Sequence, residues 1–380
     1  MFQTATPDKA IAFTQHCVAL TCCWPPPLGA TRSQILLYKV LRIMGLVNGL
    51  VLLVPLLYAL HVYRNDTEIL TKAAVMVAGI AQVLSQTTLC ATQYDRYQRL
   101  IEHMRLYCKA ANLSERQILQ EYVDKYAAFY GSSATWFYVS ALSVIFGTLF
   151  VSDPFPTNAE YPFSVDFEPL KSIIFIHQAV AGMQCAAHLS MNVFCALLLL
   201  FAAARFQILA AEMVDVDGIR SLVKCVKKYR IVRGRRGFRY AIEAARGMRV
   251  VVMVTYTFVI MSCVFSGVTI IGGASFTVKM QSFLLLGAGL LEAFMCALPA
   301  DHLMEMSERV MQGAYESKWY MRPLDVQKCL LFMTIPRPPV VLSIKCIMPA
   351  LSLNYFCSFV SNIFSIFTAL RVTLMRDEED

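Results

Sequence analysis

Seven stretches of this sequence run long enough to cross a hydrocarbon core, which takes about 20 consecutive apolar residues in a helix. They cover residues 43–62, 73–92, 127–151, 172–204, 250–271, 280–300 and 346–370. Six contain no Asp, Glu, Lys or Arg, and the sixth in order contains only Glu292. Inside lipid a backbone must satisfy its own N–H and C=O groups, so runs of this length form helices. A transmembrane barrel would show alternating segments of about ten residues, and none occurs. The expected fold class is therefore all-α, a polytopic membrane protein with seven transmembrane helices. Composition agrees, since 57% of residues are hydrophobic and 16% charged, against about 25% charged in soluble domains.

Orientation follows from where the basic residues sit. Four precede the first run, six lie in the second connection, twelve in the fourth and six in the sixth, so 28 of the 34 Lys and Arg fall on one side. That side is expected to be cytoplasmic, which puts the N-terminus inside and the C-terminus outside. The net charge of +8 does not point to nucleic acid, because it is divided among membrane-anchored loops. The basic run 224–239 either enforces topology or holds anionic lipid headgroups. The acidic end, 377–380, is a solvated tail or a concentrator of cations near an outer mouth. A glycosylation sequon at Asn65 falls in an outer connection, and a second at Asn112 falls inside, where it has no such meaning.

The segment 10–24 is apolar but short and ends in Pro25-Pro26-Pro27. It reads as an amphipathic piece lying at the membrane interface, with a signal peptide as the alternative. None of the 13 cysteines lies in an outer loop, so no disulfide is expected. No Cys/His spacing suggests a metal, no cofactor is implied, and no hydrolytic or redox constellation suggests an enzyme.

Polar side chains within the spans are costly, and therefore informative. The fourth run carries His177, Gln178, Gln184 and His188. Gln184 and His188 share a helix face, where they either line a pocket or bond to neighbouring helices. Glu292 either pairs with a hydroxyl or amide of another helix or serves an ion relay. The fourth run covers 33 residues, about 50 Å of helix against a core of about 30 Å. It is expected to continue into the cytoplasm and join the sixth connection in a packed assembly region. In the seventh run, Ser358, Asn362, Ser365, Ala369 and Val372 recur at helical spacing, and the other faces carry Phe356, Phe359, Ile363, Phe364, Ile366 and Phe367. Such a stripe is either a wet pore face or a small-residue helix interface.

Asp95-Arg96-Tyr97 spells the triplet that ends the third helix of G-protein-coupled receptors. Here it follows the second run, the orientation is inverted, and the last run lacks an Asn-Pro-x-x-Tyr. A secondary transporter, the other alternative, would show internal repeats. The chain instead resembles the insect odorant receptors. The likeness is densest from about residue 290 to 372. It rests on Ala314-Tyr315-Glu316-Ser317-Lys318-Trp319-Tyr320, Lys328, the Pro/Arg-rich break around Arg337, and the ending Ile366-Phe367-Thr368-Ala369-Leu370-Arg371. The outer loop around Tyr161-Pro162-Phe163 also fits.

That resemblance implies a variable, odorant-tuning subunit. It would combine with a shared co-receptor subunit in a heterotetrameric, odorant-gated, nonselective cation channel of the plasma membrane of olfactory neurons. Its parts would be a cytoplasmic N-terminal segment (1–42), helices 1–6 with the odorant-binding bundle (43–302), a cytoplasmic assembly region (303–345), a pore helix (346–370) and an extracellular tail (371–380). Helices 4–7 would extend into the assembly domain. The resemblance places a volatile odorant among Met76, Gly79 and Ile80; Trp136, Phe137, Ser140, Ser143, Val144 and Gly147; and His177, Val180, Ala181 and Gln184. The pore would be lined by Ser358, Asn362, Ser365, Ala369, Val372 and Thr373, the last of these near the outer gate together with Ala369 and Val372. Membrane lipid is the remaining partner.

Overall fold

The apolar runs become helices, each closed by its own caps. The protein is described by a computed structural model covering residues 5–148, 155–165, 167–233, 239–273, 276–335, 338–344 and 348–377. Its helices are α1 (Pro7–Cys17), α2 (Arg32–Val62), α3 (Thr67–Thr92), α4 (Tyr94–Ala110), α5 (Leu113–Gly147), α6 (Leu170–Leu189), α7 (Met191–Val214), α8 (Ile219–Arg233), α9 (Tyr240–Ile271), α10 (Phe276–Glu316), α11 (Leu324–Thr334) and α12 (Leu353–Asp377). Thr31 with Gln34 and Asn112 with Glu115 form capping boxes that start α2 and α5, each satisfying two otherwise orphaned N–H groups. Asn112 of the inner sequon is thus a helix cap. Arg337, Lys345, Cys346 and the last acidic residues, 378–380, lie outside the described residues, as do 234–238 of the basic run.

Six described segments are long and apolar enough to cross a membrane: α2, α3, α6 continued by α7, α9, α10 and α12. The chain is an all-helical, multi-pass membrane protein. α5, where the third span is expected, is 35 residues long but less apolar. Its surplus polarity is hydroxyl, and the hydroxyls of Ser133 and Thr135 donate to the carbonyls of Phe129 and Gly131 at 2.8 and 2.9 Å, inside the same helix.

The fourth run is not one straight helix. It divides at Ser190, whose backbone N–H and hydroxyl both turn to the Ala186 carbonyl, at 3.1 and 3.0 Å, a back-bond that bends helices. α7 then continues to Val214, α9 begins at Tyr240 and α10 reaches Glu316. All three run past the apolar stretches toward the end of the bundle that carries α1, α4, α8 and α11. The last helix does not share this extension. It starts at Leu353 rather than at 346, because a tight turn precedes it. Ile344 and Met348 exchange backbone hydrogen bonds at 2.8 and 2.9 Å, and Leu351 N–H reaches the Leu342 carbonyl at 2.8 Å. Pro349 sits between those pairings and supplies no N–H for a helix.

The N-terminal segment differs from expectation too. Instead of lying on the surface, α1 and the 3-10 turn Ala19–Thr21 dock into the bundle. Val18 and Trp24 are 0% and 4% exposed, the Trp24 ring meets Phe194 at 5.3 Å, and the Tyr138 hydroxyl donates to the Cys17 carbonyl. The apolar side chains of 10–24 that sequence offers to lipid are mostly spent on protein.

α7 is the hub, buried on nearly all faces along Phe194, Leu198, Leu199 and Phe206. At its far end Lys228 of α8 bridges Glu115 of α5, at 2.7 Å, and Glu212 of α7. Burial lowers the Lys228 pKa, but the two carboxylates outweigh it and hold the ammonium above the ordinary lysine range. Burial raises that of Glu115, and Lys228 with the Asn112 N–H outweighs it in turn. The lowered Glu115 carboxylate loses its contribution as pH falls through its folded value and the raised Lys228 ammonium as pH rises through its own, so this latch is charged at neutrality and opens in acid or in strong base.

The α7–α10 contact sets the first prediction. A Cβ on Gly313 would lie 2.6 Å from the Ala210 carbonyl oxygen, whereas one on Gly218 meets nothing within 4 Å. Mid-helix Gly→Ala ordinarily gains about 1 kcal/mol. Gly313→Ala should instead lower the thermal midpoint of the detergent-solubilised protein, by about 1–3 kcal/mol of overpacking, and Gly218→Ala should leave it in place. An unchanged midpoint for Gly313→Ala would contradict the close approach.

Candidate functional site

A glutamine at mid-depth in a bilayer is tolerated when its amide is bonded. α3 carries two, Gln82 and Gln86, one turn apart on a single face. Gln82 Nε2 donates to Glu292 Oε1 of α10 at 2.6 Å. Gln86 Nε2 donates to Thr255 Oγ1 of α9 at 3.0 Å, and its Oε1 lies 3.2 Å from His188 Nδ1 of α6. His188 Nε2 is 3.0 Å from Thr87 Oγ1. With the imidazole proton on Nδ1, His188 donates to Gln86 and Gln86 to Thr255, while the one Thr87 hydroxyl proton is shared between Nε2 and the Val83 carbonyl, 2.8 Å away. Asn192 of α7 accepts from Cys296 Sγ of α10 at 2.9 Å. Each of these side chains is buried, so without these bonds its polar atoms would be orphaned. The network joins α3, α6, α7, α9 and α10 beside the Ser190 break. Of the two readings of Glu292, the pairing with an amide is the one the geometry realises, and His188 likewise bonds to a neighbouring helix.

α9 carries this network to α12. Tyr256, next to Thr255, packs its ring edge-on to Phe359 at 4.9 Å and near Tyr355 at 5.9 Å, while its hydroxyl donates to the Ala293 carbonyl at 3.1 Å. One end of the same seam is closer still. A Cβ on Gly267 would fall 2.3 Å from the Phe367 ring.

The thirteen positions expected to hold an odorant are not brought together in one place. Met76, Ile80 and Ala181 come together with Leu52 and Leu56 in an apolar cluster between α2, α3 and α6. A side chain on half-buried Gly79 would meet nothing within 4 Å, nor would one on Gly147. His177 and Gln184 turn to α2, His177 Nε2 to the Asn48 carbonyl at 3.1 Å and Gln184 Oε1 accepting from Asn48 Nδ2 at 3.0 Å. Phe137 is buried in the main core and Ser140 is half-buried, whereas Trp136, Ser143, Val144 and Val180 are exposed. The loop 155–165 folds over the cluster. Gln178 accepts from Thr157 N–H at 3.1 Å and donates to the Tyr161 hydroxyl at 3.2 Å, and Tyr63 donates to Glu160 at 2.9 Å. A separate cavity of about 380 Å³ lies between α1, α5 and α7, and none of the thirteen lines it.

Sequence reasoning passed over Gln82, Gln86, Thr255 and Asn192. The available signal was two amides four apart in an uncharged run, the same signal read for Gln184 and His188. Asp95-Arg96-Tyr97 also has its own role here. Arg96 Nε pairs with Glu243 at 3.0 Å and the fully buried Tyr97 donates to the Gly247 carbonyl at 2.8 Å, clamping α4 to α9.

α12 is the least apolar and the least buried of the six membrane-length segments. Phe359 and Ile363 are buried, while Ser358, Asn362, Ser365 and Ala369 lie together on the exposed face. Val372 and Thr373 continue the helix, and their side chains lie outside the described residues. The face exposed by α2 is of the opposite kind, with Leu37, Val40, Ile43, Met44, Val47, Leu50 and Val54 in the open. Among the described residues no group of three His, Cys, Asp or Glu could hold a metal ion.

The structure is thus a helical membrane bundle whose buried polar groups bond helix to helix and whose last helix is largely exposed. The profile of the 7tm Odorant receptor family matches residues 66–364, and the chain belongs to that family. The insect olfactory receptor OR5 from Machilis hrabei has a similar fold, with a TM-score of 0.73 at 15% identity over 96% of this chain and 97% of that one. The same receptor in complex with eugenol matches with a TM-score of 0.71, again at 15% identity, over 96% and 98%. Comparison with curated proteins finds no match.

The network generates the second prediction. Glu292→Gln keeps an acceptor for Gln82 and should leave the fold within about 1 kcal/mol, whereas Glu292→Leu orphans a buried amide and should cost about 1–3 kcal/mol. Fluorescence-detected size-exclusion after a heat ramp reads both, and equal midpoints would remove the pairing as a stabilising contact.

Proposed function

We propose that this chain is an odorant-tuning subunit of a ligand-gated, nonselective cation channel of the plasma membrane, with a shared co-receptor as its partner. In this reading seven helices cross the bilayer, α5 included, with the N-terminus cytoplasmic. α1, α4, α8 and α11 then lie inside, and the loop 155–165 outside. The observation that carries the proposal is the face of α12. Lipid accepts the Leu and Val that α2 exposes; on α12 the Ser358 and Ser365 hydroxyls donate to the Asn354 and Ser361 carbonyls at 3.0 Å, and it is the exposed Asn362 amide that calls for water or other polar groups. In an assembly of several subunits that face closes around an aqueous path.

The ligand would enter the outer half of the bundle, near the Met76, Ile80 and Ala181 cluster, the open space beside Gly79, and the lid over Gln178. Apolar walls with few polar anchors suit a small volatile molecule, the class to which the eugenol bound by the OR5 relative belongs. A ligand that separates α3 from α6 bears on Gln86 and His188. Through Thr255 and Tyr256 it then acts on α12. Such a ligand opens the channel to the extent that it binds the open arrangement better than the closed one.

Whole-cell current with a panel of volatiles, with and without the co-receptor, is the direct test. Fast cation current that needs no G protein is expected with both subunits present. Ser365→Trp should reduce that current at least tenfold at unchanged surface labelling, and normal current would return α12's polar face to helix packing. Gln86→Leu, which cuts the α3–α9 link, should shift the odorant dose–response curve while leaving surface density within twofold; an unmoved curve removes the relay.

A further inference from the structure

The cavity between α1, α5 and α7 is remote from the proposed ligand site and from α12, which packs against α9 and α10 on the other flank. On α5 its wall runs from Leu119 to Gly131 through Tyr122, Tyr126, Ala127 and Tyr130, positions that recur every three or four residues on one helix face. On α7 the facing wall runs from Val193 to Ala204. The space is therefore about 18 Å long at 1.5 Å of rise per residue. A volume of about 380 Å³ spread over that length makes the space long and narrow, a shape that suits an extended hydrocarbon chain.

The walls offer carbon. The Tyr122 hydroxyl faces away to His302 Nε2 at 2.9 Å, the Tyr130 hydroxyl donates to the Met295 carbonyl at 3.0 Å, and Thr14 donates to the Ala10 carbonyl at 2.9 Å. A water here would find few of the two to four polar partners it needs. The outer edge is open, since Val123, Ala127, Gly131 and Leu197 are half-buried and Phe13 is 42% exposed. Lys9 stands at that edge, and the Lys125 ammonium sits 5.2 Å from the Tyr126 ring centroid. With Asp8 and Asp124 beside them in sequence, both signs of charge flank the opening, as a zwitterionic headgroup requires.

We infer that this cavity binds one acyl chain of a membrane phospholipid, with α1 as the third wall that closes the chain against α5 and α7. The chain fills space that water would leave dry, and it ties the docked N-terminal helix to the bundle.

The test uses the full-length protein in membranes containing a phosphatidylcholine with a photoactivatable diazirine on its acyl chain, followed by peptide mapping of the adducts. Adducts are expected on the 119–131 and 193–204 walls. Ala127→Trp, which fills the space, should lower that yield at least fivefold at unchanged surface expression. Ala128→Trp, one position along on the exposed face, should not lower it. Leu197→Trp gives the same readout from the opposite wall should the first variant fail to reach the surface. Adducts confined to outward faces such as that of α2, or a yield indifferent to both filling substitutions, would overturn the proposal. So would displacement of the label by excess eugenol, which would make the cavity a site for small volatiles. Labelling needs neither current nor co-receptor, so it stands or falls separately from the channel reading.

Discussion

The hydrogen bond between Gln82 and Glu292 fixes how the outer helices can sit. Lipid offers no partner to an amide or a carboxyl group, so each must be met by another helix. The 2.6 Å contact between these two sets α3 against α10. Gln86, one turn on, sets α3 against α9 and α6 through Thr255 and His188. Dispersion between apolar faces would allow these helices to slide, because lipid tails pack against Leu as well as Leu does. Directional bonds give the bundle its register.

The same constraint explains what was legible in the sequence. Spans are readable because lipid penalises charge along every residue of a helix, and six of the expected runs coincide with membrane-length segments. The third is harder to see by hydropathy because α5 hides its Ser and Thr hydroxyls in its own backbone carbonyls, which no apolarity scale records. The continuation of α7 past Ala204 was readable from the length of its apolar run; that of α9 and α10 past their span-length runs came from the family resemblance. The late start of α12 was not, since it depends on a turn closed by the Ile344–Met348 pairing and followed by Pro349. Docking of α1 was also hidden. Trp24 and Val18 read as lipid-facing until Phe194, 170 residues away from Trp24 in sequence, is known to receive the ring.

Site residues were legible in proportion to how little they depend on a partner. The stripe Ser358, Asn362, Ser365 and Ala369 needs only one helix, and it lies on one exposed face of α12. Positions assigned across three helices need their relative rotation, which the sequence does not carry. Met76, Ile80 and Ala181 meet, but Trp136, about 100° around the helix from the buried Phe137, and Val144, two turns further along, are exposed. A bilayer makes this ambiguity worse than water does, because an aromatic side chain is equally acceptable facing lipid or facing protein.

The polar face of α12 and the tight seam behind it follow from one arrangement. α12 is held chiefly along Phe359, Ile363 and Phe367, against α9 and α10, and the Phe367 ring occupies the place that a side chain at position 267 would take. A contact with no slack transmits displacement, since packed side chains move as a unit rather than compress. Thr255 and Tyr256 are consecutive residues of α9, so the polar network and the α12 seam are separated by a single peptide unit. A shift of α3 that pulls on Gln86 therefore reaches α12 without crossing any loosely packed layer. In the channel reading, the bundle needs no mobile loop to couple ligand to pore. The rigid element is α9 itself, with a hydrogen-bonded face toward the ligand and an aromatic face toward the path of ions.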